Sequence, residues 1–546
     1  MKRLPDHPNL DQLKKQAKDL LSGYRRNDPD ALARFRDALP LAAGKDDAAI
    51  AALGLRLHDA QSCLAREYGF ASWAELGAYV AARRAFSADR GTLVLNWLRL
   101  VYPGDIAGGT NRASPAAAAR LLEDRPDLTA GDPWLACAIG DTAVLAAAVE
   151  RDPGWVDRPG GPLSLPPLVA VTHSGLARLP AYRDRLHAAA KLLLDAGADP
   201  DQSVWSRWPP ASLAEPSTEY RLSALYGAAG QNRDPEMTRL LLDAGADPND
   251  NESLYHSLEN PDVTRLLLAA GARIEGTNAQ YRVLDLDNLE SLKLLLGAGG
   301  DPNEKAGSAP TTDWGRPLLW AIRRGRSAAH VQALLDAGAD PCVRSRDGTS
   351  AYRLALRFGL PDVAALLREA AGGEDMTEEE QFVAACAAAD EAAARVLQSR
   401  RPDLPASLPP ERLKMLPELA ALGRREAIEL MVGLGWPIET RGGDWNASAL
   451  NHAVFRGDAG LARFLLEKGA DWRGEHGFGD NVCGTLSWGS INEPEPDGDW
   501  LGCAEALVAH GMPRGEPDPE GSGDVVIDGG RKRFSDEVAE FLLGRG

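Results

Sequence analysis

The sequence predicts an all-α protein, a stack of repeated helix-turn-helix units with turn or loop fingers between them, preceded by a small helical domain. Three observations predict it. The phrase LLLDAGADP at 192–200 returns as LLLDAGADPN at 240–249, then in looser spellings at 266–275 (LLLAAGARIE), 294–303 (LLLGAGGDPN), 333–342 (ALLDAGADPC), 430–439 (LMVGLGWPIE), 464–473 (FLLEKGADWR) and 506–514 (ALVAHGMPR). Each copy puts a glycine directly after an apolar helical run. Proline recurs where a helix could start or could not continue. Recurrence of this kind marks a repeat architecture, and a stack of small units escapes the size limit of one hydrophobic core.

Bulk composition fits a folded protein, with 44% hydrophobic and 25% charged residues in 546. The abundance of Ala, Gly, Pro and Arg suggests a GC-rich bacterial source. The net charge of −19 argues against nucleic acid or an anionic membrane as the main partner, since phosphate binding needs a basic face. Residues 1–90 differ, with 15 Lys and Arg against 12 Asp and Glu. The acidic remainder is expected to favour a basic partner. Six scattered cysteines make no C-x-x-C pair and no zinc spacing, so a reducing compartment is expected. The opening MKRLPDHPNLDQLKKQAKDLL has no apolar core of signal-peptide length. No run is long enough to span a membrane, and a cytoplasmic location is expected.

Residues 1–90 lack the repeat and read as a helical module. LDQLKKQAKDLL (10–21) carries Leu10, Leu13, Ala17, Leu20 and Leu21 on one side. Asp28-Pro29 begins a second helix, LGLRLHDAQSCLAREYGF (53–70) reads as a third, and Ser72 with Glu75 forms a capping box for a fourth. Residues 91–114 read as a connecting segment.

The repeat proper is whole in SALYGAAGQNRDPEMTRLLLDAGADPN (223–249). A short Ala-rich helix leads into a turn, and Asp234-Pro235 starts a second helix, with Asp as N-cap and Pro at the first helical position. The glycine then ends it in a left-handed conformation. Asn260-Pro261 and Leu360-Pro361 place proline likewise. This pattern resembles the ankyrin repeat, nominally about 33 residues long, whose T-P-L-H-x-A start survives loosely in Pro317-Leu318 and in Ala449-Leu450-Asn451-His452-Ala453. The resemblance covers most of the chain after about residue 115, in roughly eleven units. It implies a curved array that binds partners on its fingers and first helices. The module at 1–90 resembles one found ahead of ankyrin repeats in bacterial proteins. That resemblance names no activity, and the module reads either as a cap on the stack or as a separate docking domain.

The expected domains are 1–90, 91–114, a first array part at 115–373 and a second at 374–546 with a C-terminal capping helix. AGGEDMTEEE (371–380) either breaks the array or is the acidic first turn of a helix capped by Thr377 with Glu380 three residues on. The second reading, a continuous or slightly kinked array, is preferred. Insertions are expected at about 201–220 and 304–316, on loops of the binding face. Residues 491–500 read as an exposed loop, 515–530 as flexible, and the end as a final helix.

Catalytic constellations are missing from the sequence. It has no phosphate-binding G-x-x-x-x-G-K-[ST], no G-x-S-x-G and no H-E-x-x-H. His173 and His452 read as turn or inter-repeat residues. His476, Cys483, Cys503 and His510 match no compact zinc pattern. No enzyme activity, cofactor or metal is expected.

Aromatic residues carry more. The chain has 13 Trp, and several fall in fingers or first helices. Trp314, Trp320, Trp445 and Trp488, with Tyr226 and Tyr255, are the expected partner anchors, because such rings dominate protein–protein binding. The function expected is non-enzymatic binding of a protein or peptide with basic and apolar character on a concave acidic face, with inhibition, sequestration and scaffolding all open. The alternative is a small-molecule binder or enzyme, with its site near 476–503 or where residues 1–90 meet the array. The oligomeric state is not legible.

Overall fold

A computed structural model describes every residue except 1, 6–7, 85–88, 306–313, 496, 520–523 and 545–546. Most of the insertion expected at 304–316 therefore lies outside the described residues. Internal contacts divide the chain into Met1–Ala279 and Gln280–Gly546. Both are helical, and the few strands are short hairpins or a small sheet.

The first unit opens with helices Leu10–Arg25, Pro29–Ala38, Asp47–Ala51, Leu57–Glu67 and Trp73–Arg84. Asn9 and Asp28 cap the first two through their side chains, because an Asx oxygen satisfies an otherwise orphaned N–H. The stretch expected as one helix over 53–70 starts only at Leu57, since Gly54 takes a φ of +66° and ends the preceding turn. The helix Trp73–Arg84 lies against Pro115–Asp124, the helix at which the array was expected to begin. Residues 91–114, read as a connecting segment, are largely helical. They form helices Arg90–Val101 and Gly104–Ala107, and the fully buried Trp97 donates to the Ala118 carbonyl at 3.1 Å.

Helix pairs then follow in sequence, for example Pro133–Ile139 with Thr142–Arg151 and Pro167–Thr172 with Pro180–Asp195. The insertion expected at 201–220 is tied down. It leaves a hairpin, Ser203–Trp205 against Arg221–Ser223, and Arg207 turns inward. Arg207 Nη1 donates to the Ile106 carbonyl at 2.5 Å and Nη2 to that of Leu163 at 2.7 Å. A buried guanidinium needs such partners, and here they tie the insertion to residues far back in the chain.

The second unit repeats the plan through Pro317–Arg323 with Ala328–Asp336, Ala351–Arg357 with Pro361–Ala371, Glu378–Ala387 with Glu391–Arg400, Met415–Ala421 with Arg425–Gly433, and Ala449–Phe455 with Ala459–Glu467. The last pair is Val482–Asn492 with Trp500–Ala509. Thr377 and Glu380 make the reciprocal capping box at the start of Glu378–Ala387, and that helix packs directly on Ala351–Arg357. Residues 515–530, expected to be flexible, instead supply strands. Glu516–Pro517, Val525–Ile527 and Gly530–Lys532 form an antiparallel sheet, because Val525 and Ile527 alternate inward and are buried. The final helix Asp536–Leu542 lies against Trp500–Ala509.

The repeated phrase has one geometry. Gly197, Gly245, Gly271, Gly299, Gly338, Gly435, Gly469 and Gly511 all have φ between 91° and 98°. In most copies the amide three residues past the helix donates back inside it, as Ala339 N does to Leu334 O at 2.9 Å. A second set of glycines, at the turn between the helices of a pair, has φ near 65–69° at Gly325, Gly359, Gly423 and Gly457. Within each unit the fold is therefore ankyrin-like: helix pairs, glycine stops and hairpin fingers.

Candidate functional site

First helices of the second unit stand side by side, with Pro317–Arg323 on Ala351–Arg357 and Met415–Ala421, Ala449–Phe455 and Val482–Asn492 in order. The residue doublets just before their turn glycines are Arg323-Arg324, Arg357-Phe358 and Phe455-Arg456. All six line two adjoining cavities. A finger overhangs them. Its strands pair Arg441 with Ser448 and Gly442 with Ala447, and its tip carries Gly443, Asp444, Trp445 and Asn446.

The first cavity measures about 800 Å³. Trp445 is its hub, with ring centroids 4.9 Å from His452, 5.0 Å from His476 and 5.7 Å from Phe455. Trp488 stacks on Phe455 at 5.1 Å with planes 11° apart, and half of its surface is open. Phe478 is 81% exposed. Glycine at 443 is required by close approach, since a Cβ there would sit 2.8 Å from His452 Nε2. Burial pulls the His452 pKa down to about 4, so the ring is neutral and contributes an apolar edge. Burial likewise lowers His476. Its acidic neighbour Asp480 is already held by Lys532 Nζ at 2.7 and 2.8 Å; the His476 amide donates to the Asp480 carbonyl at 2.8 Å, but no hydrogen bond joins their side chains as a base and its orienting acid would require.

A cluster of ion pairs separates this cavity from the second. Arg323 Nη1 donates to Asp444 Oδ1 at 2.5 Å and Nη2 to Glu418 Oε1 at 3.1 Å. Arg324 Nη2 donates to Asp444 Oδ2 at 2.7 Å, and its Nε to Asp285 Oδ1 at 2.8 Å. Burial disfavours the charge on Arg323, but Glu418 and Asp444 outweigh it and its pKa is raised. The second cavity, about 910 Å³, lies beyond, between Trp314, Phe358, Arg357, Arg412 and Met415. Trp314 meets Phe358 edge-on at 6.1 Å and lies under the Arg323 guanidinium at 4.8 Å. The two cavities form one trough. Seven arginines and lysines line it against five carboxylates, so its walls do not share the acidity of the chain.

The expected anchors separate. Trp445 and Trp488 meet in the first cavity, and Trp314 lines the second. Trp320 is 1% exposed, its Nε1 bonded to Asp285 Oδ1 at 3.0 Å and its ring covered by Arg324 at 4.2 Å. It offers a partner no area and serves as a floor beneath the ion pairs. Tyr226 and Tyr255 belong to the first unit and do not join this trough. Tyr226 is 7% exposed, meets the rings of His173 and His256 at 5.9 and 5.3 Å, and accepts from Gln231 Nε2 at 3.0 Å, so it too is a packing residue. Phe455, Phe478, Arg323, Arg357 and Asp444 were not expected. The signal that could have found most of them is the Arg/Phe doublet before the turn glycine.

Among the described residues no cluster of three or more His, Cys, Asp or Glu could hold a metal, and no helix is long and apolar enough to cross a membrane. No family model matches the sequence, and no curated protein matches it. Among solved structures, the chain is similar to the ankyrin repeat domain of human ASB11, at 16% identity and a TM-score of 0.21, covering 43% of this chain and 98% of that one.

Proposed function

We propose that this chain is a non-enzymatic binding scaffold whose second unit takes a segment of a partner protein in the trough. One observation carries the reading: Trp445, Phe455 and Trp488 form a continuous aromatic wall, half open at Trp488, with Phe478 projecting beside it. Large exposed rings set in a concave surface are the usual anchors of protein recognition. The Arg323–Asp444 ion pair holds finger and helices in place before binding, which lowers the ordering cost. Binding of this kind suits an inhibitor or regulator, in a cytoplasmic setting.

A second reading has its own support. A cavity of about 800 Å³ falls within the ~300–1,000 Å³ typical of small-molecule sites, and residues 476–488 contribute to it.

The test is capture from cell extract by the full chain and by a Trp314→Ala, Trp445→Ala double variant, at two salt concentrations, alongside melting curves. A partner retained by the parent and lost by the variant at unchanged melting temperature supports the scaffold. A large fall in melting temperature would assign the rings to packing instead. A melting shift with small metabolites, without protein capture, would favour the second reading.

A further inference from the structure

Arg357 and Arg323 lie in the same trough and are equally buried, each 5% exposed. Their surroundings differ. Arg323 has ion pairs at 2.5 and 3.1 Å. Those of Arg357 are long, 3.5 Å to Asp347 and 3.6 Å to Glu380; the Nε atoms of both arginines lack a partner, so the difference lies in the outer nitrogens. Both carboxylates are engaged more closely elsewhere. Asp347 accepts from Ser345 Oγ at 2.5 Å and Arg412 Nη1 at 3.1 Å. Glu380 accepts from the Thr377 amide at 3.1 Å and Arg353 Nη1 at 3.2 Å. Burial lowers the Arg357 pKa to about 10, and the neighbouring Arg412 adds to the fall.

A buried guanidinium with donors to spare, beside a second guanidinium, is costly until an anion completes it. Its planar fork fits a carboxylate. The cavity it lines shares Arg323, Glu418, Gly443 and Asp444 with the aromatic one, so an occupant long enough to fill both meets cations at one end and rings at the other. Nucleic acid is disfavoured by the net charge of −19.

We infer that the segment held in the trough is acidic: it sets a carboxylate against Arg357 and Arg412 and an aromatic or aliphatic side chain against Trp445 and Trp488. The inference rests on the scaffold reading above and names the chemistry of its partner. It reverses the expectation of a basic partner, which rested on the charge of the whole chain; the trough's own lining is cationic.

Two synthetic peptides of equal length test it by titration calorimetry on the full chain. One alternates glutamate with tryptophan and leucine, and the other has lysine at every glutamate. The acidic peptide should bind, more weakly at high salt, and the basic one should not. Arg357→Met should weaken the acidic peptide by about tenfold or more while leaving the melting temperature unchanged or raising it, since neither Asp347 nor Glu380 depends on Arg357 alone. Arg412→Gln, at a more open position, is the second variant should Arg357→Met fail to fold. Equal or tighter binding of the basic peptide, no binding of either at millimolar concentration, or an unaltered affinity in both variants would overturn the inference. So would displacement of the acidic peptide by inorganic phosphate alone, which would mark a free-anion site. Loss of binding in a Trp445→Ala, Trp488→Ala variant with no effect of Arg357→Met would leave the scaffold standing and remove only the acidic partner.

Discussion

Arg323 and Asp444 are joined by a 2.5 Å hydrogen bond although 121 residues separate them in the chain. The link spans from the end of one first helix to the tip of a finger several repeats later. Glu418 and Arg324 complete it, and together these four side chains divide the trough into its two cavities.

Removing Arg323 should therefore be expensive. Arg323→Met leaves Asp444 with Arg324 but deprives Glu418 of its cation. Breaking one side of a buried pair costs about 3–5 kcal/mol, and the partial exposure of both carboxylates places the expected loss near about 2–3 kcal/mol. Urea denaturation measures it. A loss under about 0.5 kcal/mol would show that the pair is ornamental.

Two tryptophans on first helices should respond to very different extents. Trp320→Ala empties a fully buried site and should cost roughly 3–5 kcal/mol. Trp488→Ala, half exposed, should cost about 1 kcal/mol or less. Comparable losses from both, by the same denaturation assay, would contradict the burial described here.

Stability should fall on mild acidification. His452 in the second unit and His173 in the first are both buried, and burial lowers each pKa to about 4 from an ordinary value of about 6.5. Above pH ~6.5 neither state is protonated and the native fold is at full strength. Between there and pH ~4 the unfolded chain binds protons that the native chain refuses, and each histidine removes roughly 3 kcal/mol. His187 has the opposite sign. Its bond to Asp234 Oδ2 at 2.7 Å raises its pKa, so its contribution is complete below pH ~6.5 and is lost as pH rises through the raised value. Unfolding free energies at pH 7 and pH 5 for the parent and His452→Phe check the first effect; the variant should lose about one proton's worth of slope.

The two classes of glycine should be distinguishable by alanine. Gly338 has a φ of +97° and open space where a Cβ would stand, so Gly338→Ala should cost about 1–2 kcal/mol of backbone strain. Gly359 has a φ of +65° and a Cβ there would lie 2.3 Å from the Ala387 carbonyl oxygen. Gly359→Ala should cost more than about 3 kcal/mol, because strain and a clash with backbone add. Equal melting temperatures for the two variants would refute the distinction.

What was legible in the sequence was local. The stop glycines, the Asp28, Asp234 and Asn260 caps and the Thr377–Glu380 box depend on a few consecutive residues, and the chain spells them out. The inward turn of Arg207 was not legible, because its acceptors lie 44 and 101 residues away. The same holds for the trough. Trp320 and Trp488 share a sequence context, a first helix, yet one is a floor and the other a wall, and only the rotation of each helix against its neighbours decides which. Net charge is a poor guide to the lining of the trough for a related reason. It sums the whole surface, whereas the walls of one depression carry seven arginines and lysines against five carboxylates.

The ion pair between Arg323 and Asp444 also has a mechanical meaning. A row of layers joined only face to face behaves as a spring, whose span is the running sum of many small angles and drifts with each of them. A strut from one layer to another several layers on fixes the distance between two points of the stack. Substitutions at intervening interfaces can then change how stiff the spring is without changing the opening of the trough.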